Sequence, residues 1–340
     1  MKRLISICVS LLILALIYWR IDFQGLIAVF RNSNLPWMMI SLGMVIPITM
    51  ITAWRLQQLM PSTLSEAMVG AKVEPMGVNL PSEPRSESLT FLEANKLILA
   101  ASSLNMVLPS KMGDIAKAYF MQERGHLTGA MALSLVVFEK TCDMLSLLLW
   151  CVFGLLLYPQ GDWLFGVMTF SVGLGLVLGI AILSVPRFAR SFFKVLQTIA
   201  PKKLKAKLGK MSYAWQDMHD YFWQDKWNLT KIALTSIFIW FLHLLQIWFF
   251  ILALNAYAPF LTNLALSPLA ILAGLLPLTF AGVGTRDAAL ILFYQPYFDA
   301  ATGAALGLLC TSRYFLPAIG GLPFLEQYLS FAKQAKQKQG

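Results

Sequence analysis

Charged residues are scarce. Asp, Glu, Lys and Arg make up 13% of the 340 residues, against about 25% in a soluble domain. That shortage excludes an ordinary solvated surface. With 58% hydrophobic residues and a mean hydropathy of +0.66, it points to long apolar runs rather than one large soluble core. Cysteine and histidine are also few. Cys8, Cys142, Cys151 and Cys310 lie in apolar segments without CxxC spacing, which argues against a disulfide framework and for small buried hydrophobes. His126, His219 and His243 are scattered and give no metal-ligand spacing. GxSxG, HExxH and Walker-type patterns are absent, and Gly282-Val283-Gly284 is a bare GxG after no strand. No catalytic residue, metal or cofactor is expected. The net charge of +10 comes from basic residues that sit mainly between apolar runs. They read as topology signals and anionic-lipid contacts. With no soluble basic domain, nucleic acid is not expected as a partner.

What is present is apolar length. A helix needs about 20 apolar residues to cross the hydrocarbon layer. Six segments qualify as full spans: 4–20, 35–56, 128–157, 163–185, 229–255 and 300–325. Trp37, Trp54, Trp163, Trp227 and Tyr328 lie near their ends, as interfacial aromatic belts require. The first run follows Lys2 and Arg3 and meets no small-x-small cleavage site, so it reads as a retained span.

Two further segments share another plan. Phe91 to Leu108 leads into Pro109-Ser110-Lys111-Met112-Gly113-Asp114 and a short stretch, Ile115 to Met121. Leu264 to Leu276 leads into Pro277 through Gly282-Val283-Gly284-Thr285-Arg286-Asp287 and a short stretch, Ala288 to Tyr294. In both, Pro and Gly break an apolar helix, and Asp114 and Thr285 are placed to cap a second helix too short to span. Charge decides whether these segments cross. If all eight apolar segments span and the N-terminus is cytoplasmic, the ten Lys/Arg of 186–231 face outside, against the positive-inside rule. If both broken segments fold back as re-entrant hairpins, the cytoplasmic side holds 18 Lys/Arg and the outer side only Arg20 and Arg31. That topology puts both termini in the cytoplasm. The hairpins then enter from opposite sides, the sequence sign of an inverted repeat whose broken helices form a substrate site near the midplane. The expected fold is all-α: a polytopic membrane helix bundle of six spans and two re-entrant hairpins in one transmembrane domain. A polar loop at 57–90, a basic amphipathic region at 186–228 and a basic tail at 326–340 lie on the cytoplasmic side.

Ionisable residues inside spans cost about 2.5–3.5 kcal/mol at the helix centre on insertion scales and tend to face partners or a cavity. Glu139, Lys140 and Asp143 share one helix, with Glu139 and Asp143 four apart on one face. The hairpins add Lys111, Asp114, Lys117, Arg286 and Asp287, and the last span adds Arg313. One reading is a structural salt-bridge network. The other is a polar cavity in which cations and half-helix N-termini hold a phosphate. Clustering at the breaks favours the cavity. It assigns substrate binding to Lys111, Lys117, Lys140 and Arg286. Asp114, Glu139, Asp143 and Asp287 hold those cations, and Asn105, Pro109, Gly113, Pro277, Gly282, Gly284 and Arg313 support the site. Trp54-Arg55 reads as an interfacial anchor.

Several stretches carry a resemblance: Trp54-Arg55-Leu56; Asn105 through Pro109, Gly113-Asp114 and Lys117; Phe138-Glu139-Lys140 and Asp143; and Pro277 through Gly284 to Arg286-Asp287. In order and spacing the chain resembles the lysylphosphatidylglycerol synthase transmembrane-region family, also described as flippase-like proteins. That family usually has Arg at positions 117 and 140 and Glu at 287. Here charge is kept, but bidentate phosphate contact by the two lysines is lost. The resemblance implies a prokaryotic cytoplasmic (inner) membrane protein that translocates a lipid, an anionic phospholipid or a polyprenyl-linked saccharide. Its expected partners are membrane lipids and a lipid-modifying enzyme or glycosyltransferase. The larger bifunctional relatives carry a cytoplasmic aminoacyl-transferring domain, for which the residues after 325 leave no room, so no enzyme is expected. The alternatives are a non-transporting accessory subunit of a polyprenyl-phosphate glycosyltransferase system and a membrane-embedded lipid transferase.

Overall fold

Hydrocarbon leaves no water to satisfy peptide groups, so long apolar runs settle as helices. A computed structural model describes residues 23–60, 89–107, 112–123, 127, 129–158, 163–199, 212, 215–216, 218–275 and 284–326. The chain runs α1 (Phe23–Arg31), α2 (Leu35–Gly43), α3 (Val45–Leu59), α4 (Phe91–Val107), α5 (Met112–Glu123) and α6 (Gly129–Leu157). It continues through α7 (Trp163–Ser184), α8 (Pro186–Ile199), α9 (Lys226–Ala253), α10 (Phe260–Gly274), α11 (Thr285–Tyr294) and α12 (Ala300–Ser312). After a turn at Arg313–Tyr314 the chain is helical again over 315–326. The protein is a helical membrane bundle. Five described stretches are long and apolar enough to cross: Leu35–Leu59, Met131–Leu157, Phe165–Ser184, Lys226–Ala253 and Ala300–Glu326. They coincide with five of the six expected spans. The expected span at 4–20, the loop at 61–88 and the tail from 327 lie outside the described residues, as do Pro109, Lys111, Pro277 and Gly282.

Boundaries move for local reasons. α9 starts at Lys226 because the Asp225 carboxylate accepts the Asn228 N–H at 3.0 Å. The short helix α1 was not expected; it turns Leu26 into the core and packs on α12. Neither expected hairpin cap holds. α5 begins at Met112, which places Asp114 inside its first turn. α11 begins at Thr285, with Gly284 as the cap at φ 102°, a conformation that only glycine adopts freely. Asp287 then reaches back to accept the Gly284 N–H at 3.2 Å.

Each broken segment folds into an antiparallel pair. The Asn105 side-chain oxygen accepts the Gly113 N–H at 2.8 Å. Gly113 lies so close to α4 that a Cβ there would meet the Ala101 carbonyl oxygen at 2.1 Å. In the second pair the Tyr294 hydroxyl lies 2.8 Å from Ser267 Oγ and donates to Asn263 Oδ1 at 3.1 Å. The two pairs occupy opposite ends of the bundle. α4 and α5 pack with the first half of α6 and Ile232 of α9. α10 and α11 pack with the second half of α6 and the later residues of α9. α8 continues almost directly from α7, buries Ala189 and Phe193, and leaves Phe188, Phe192, Val195 and Leu196 exposed among Arg187, Arg190 and Lys194.

Candidate functional site

The half-way point of α6 carries Asp143, with Glu139 one turn before it. Two long, mostly apolar helices, α3 and α9, pack near it, and each sends a polar side chain inward. Arg55 of α3 is 2% exposed. Its guanidinium bridges Asp143 and Glu139, the latter at 3.0 Å, and donates to Ser236 Oγ of α9 at 2.8 Å. Lys117 of α5 is buried against the other Glu139 oxygen. Lys140 stands 3.4 Å from Asp114 and 3.6 Å from Asp143. Three cations thus meet three carboxylates inside the bundle, where an unpaired charge is costly. Arg55, Lys117 and Glu139 are buried, and Asp114 and Asp143 are partly exposed. Lys140 differs: 45% of its side-chain surface is open, and its two ion pairs are the longest in the network.

Arg55 is therefore no interfacial anchor. An anchor keeps its charge at the headgroup level, whereas this guanidinium points into the bundle. No charge signal in the sequence points to it, because beside Lys117 and Lys140 the residues Lys111, Arg286 and Arg313 already supply cations enough for the four carboxylates.

The expected site residues divide between two places. Lys117 and Lys140 share the network with Asp114, Glu139 and Asp143. Arg286 is elsewhere, on the second hairpin. It pairs with its neighbour Asp287 at 2.7 Å and donates to Gly307 O at 3.0 Å, Cys310 O at 3.4 Å and Thr311 Oγ1 at 2.5 Å. All three acceptors lie in the C-terminal half of α12, where a cation opposes the negative end of the helix dipole. Asn105 and Gly113 tie α4 to α5, and Gly284 caps α11. Arg313 lies in the turn of the last span.

The family assignment has its own support. A match to the lysylphosphatidylglycerol synthase TM region runs over residues 3–321. The chain belongs to that family. No curated protein and no solved structure matches it. Every described residue of the charge network falls within the matched region of this family member. Among the described residues no group of three His, Cys, Asp or Glu side chains converges to hold a metal, and Cys142, Cys151 and Cys310 are buried free thiols.

Proposed function

We propose that the protein binds a lipid with an anionic headgroup inside the bundle and carries that headgroup across the membrane. The observation that supports this reading is Lys140, a cation within a neutral buried network that is both open and loosely paired. A lipid phosphate reaching Lys140 competes with Asp114 and Asp143 for it. Release of the phosphate restores the two pairs, so binding is reversible, as transport requires. The tight Arg55, Lys117 and Glu139 core keeps the surrounding helices in place throughout. The positive-inside tally supports a topology with both termini in the cytoplasm of a prokaryotic cell, and the partners in this reading are the membrane lipids themselves. No aminoacyl transfer is part of it. The test is movement of a fluorescent phosphatidylglycerol between the leaflets of reconstituted vesicles. Lys140→Met is expected to fold normally and slow that movement. Equal rates for wild type and variant remove Lys140 from the mechanism.

A further inference from the structure

The last span has a second polar feature that the charge network leaves unexplained. Ala300–Glu326 is a single apolar stretch by length and composition, and the turn at Arg313–Tyr314 interrupts it at its midpoint. Arg313 is 4% exposed. Its Nη2 donates to the Tyr314 hydroxyl at 3.2 Å, and the guanidinium lies 5.1 Å from the centre of the Tyr314 ring. Its Nε and Nη1 are buried and meet no hydrogen-bond partner among the described residues. Among the described residues, Arg55, Lys117, Glu139, Arg286 and Asp287 are the other buried charged side chains, and each has an ion pair. Arg313 has none there. The flanking segments 276–283 and 327–340 contain no Asp or Glu. A guanidinium held at mid-span whose donors on two of three nitrogens meet no partner among the described residues is a cation awaiting an anion.

Its position is also particular. Ser103 of α4 donates to Ala318 O, and a Cβ on Gly321 would meet Leu99 O at 2.0 Å. α4 therefore runs antiparallel to 315–326, and the same register carries its Val107 end to the level of Tyr314. From the other side, Arg286 in the first turn of α11 reaches Gly307, Cys310 and Thr311, the turn just before Arg313. The described ends of both hairpins, the end of α4 and the first turn of α11, thus approach the stretch that holds this residue. Irregular backbone at membrane depth is tolerated where it is buried in protein or lines a polar cavity, and paired breaks of this kind form substrate sites in transporters built from inverted repeats.

We propose that Arg313 binds the phosphate of an anionic lipid, at the turn that interrupts the last span; this rests on the lipid-transport reading above. The phosphate oxygens take the unused Nε and Nη1 donors in charge-assisted hydrogen bonds. Tyr314, 41% exposed, covers the remaining nitrogen and turns aside when the headgroup arrives.

The test uses the full chain, delipidated in a neutral detergent, titrated with dioleoyl phosphatidylglycerol and read by native mass spectrometry. Wild type is expected to bind it. Arg313→Gln is expected to bind about tenfold more weakly or worse, because a charge-assisted contact is lost. Arg313→Lys retains most of the affinity. Arg31→Gln, on the exposed end of α1, leaves it unchanged. Tyr314→Phe removes the competing acceptor and tightens binding, which tests the site even if Arg313→Gln folds poorly. Equal affinity of wild type and Arg313→Gln, or no change in Tyr314→Phe, overturns the site. Inorganic phosphate binding as tightly as the lipid overturns the lipid as its ligand. Dioleoyl phosphatidylcholine binding equally well overturns the preference for net negative charge. If binding depends on Arg313 but no headgroup moves in vesicles, the transport reading fails and this site stands. If headgroups move while Arg313→Gln binds normally, the site fails and the transport reading stands.

Discussion

Replacing Arg55 by Met removes one cation from a neutral set of six charges. Asp143 loses its closest partner and keeps Lys140 at 3.6 Å, Glu139 keeps Lys117, and Ser236 Oγ loses its donor. Breaking a buried pair from one side costs about 3–5 kcal/mol. A chain unfolded within a bilayer still finds partners for its polar groups, so the lower end, about 3 kcal/mol, applies here. At roughly 2–4 °C per kcal/mol for a large domain, the melting temperature should fall by roughly 6–12 °C. The assay is thermal denaturation of the detergent-purified protein followed by size-exclusion chromatography. A second substitution makes the reasoning sharper. In Arg55→Met with Asp143→Asn the remaining charges form two complete pairs, Lys117 with Glu139 and Lys140 with Asp114. The double variant should therefore recover at least half of the loss, a coupling that a double-mutant cycle measures directly. If Arg55→Met melts with the wild type, as Trp54→Phe is expected to do, the guanidinium contributes nothing to the core. If the double variant loses the sum of the two single losses, the charges are not coupled.

Lys117→Met leaves Glu139 facing Arg55 alone and is expected to reduce folded yield sharply, in contrast to the normal yield of Lys140→Met; fluorescence-detected chromatography of the two variants compares them. Gly307→Ala places a Cβ 2.9 Å from the Asp287 carboxylate and should destabilise by about 1–3 kcal/mol through overpacking, whereas an unobstructed Gly→Ala in a helix gains about 1 kcal/mol; a melting temperature at or above wild type would show that Asp287 moves aside without cost. Ser191→Cys on α8 should resist an impermeant maleimide added to intact cells and react once the membrane is opened, and labelling from outside would reverse the assigned topology.

The five described spans were legible because a run of 20-odd apolar residues has one stable form in lipid. The two broken segments were legible for the opposite reason, since Pro and Gly interrupt such a run at a recognisable place. Their caps were misplaced: Asp114 falls inside the first turn of α5, and in α11 Gly284 supplies a positive φ and Asp287 a back-bond, so the helix starts without needing the Thr285 hydroxyl as a cap. The site was half legible. Glu139, Lys140 and Asp143 share one helix, and their spacing alone puts them together. Arg55 and Arg286 exchanged expectations because tertiary packing decides which arginine meets which carboxylate. Arg55 lies near a span end in sequence, yet α3 carries it against the middle of α6. Arg286 lies beside a helix break in sequence, yet its adjacent acid and the end of α12 occupy it.

Lipid movement itself is the most direct measurement. Vesicles containing a fluorescent phosphatidylglycerol in both leaflets, with about one copy of the protein each, are exposed to an impermeant reductant. Protein-containing vesicles should lose fluorescence well beyond the outer-leaflet pool, because inner-leaflet headgroups reach the outside through the bundle. Loss limited to the outer-leaflet pool, equal to that of protein-free vesicles, would contradict a role in lipid translocation.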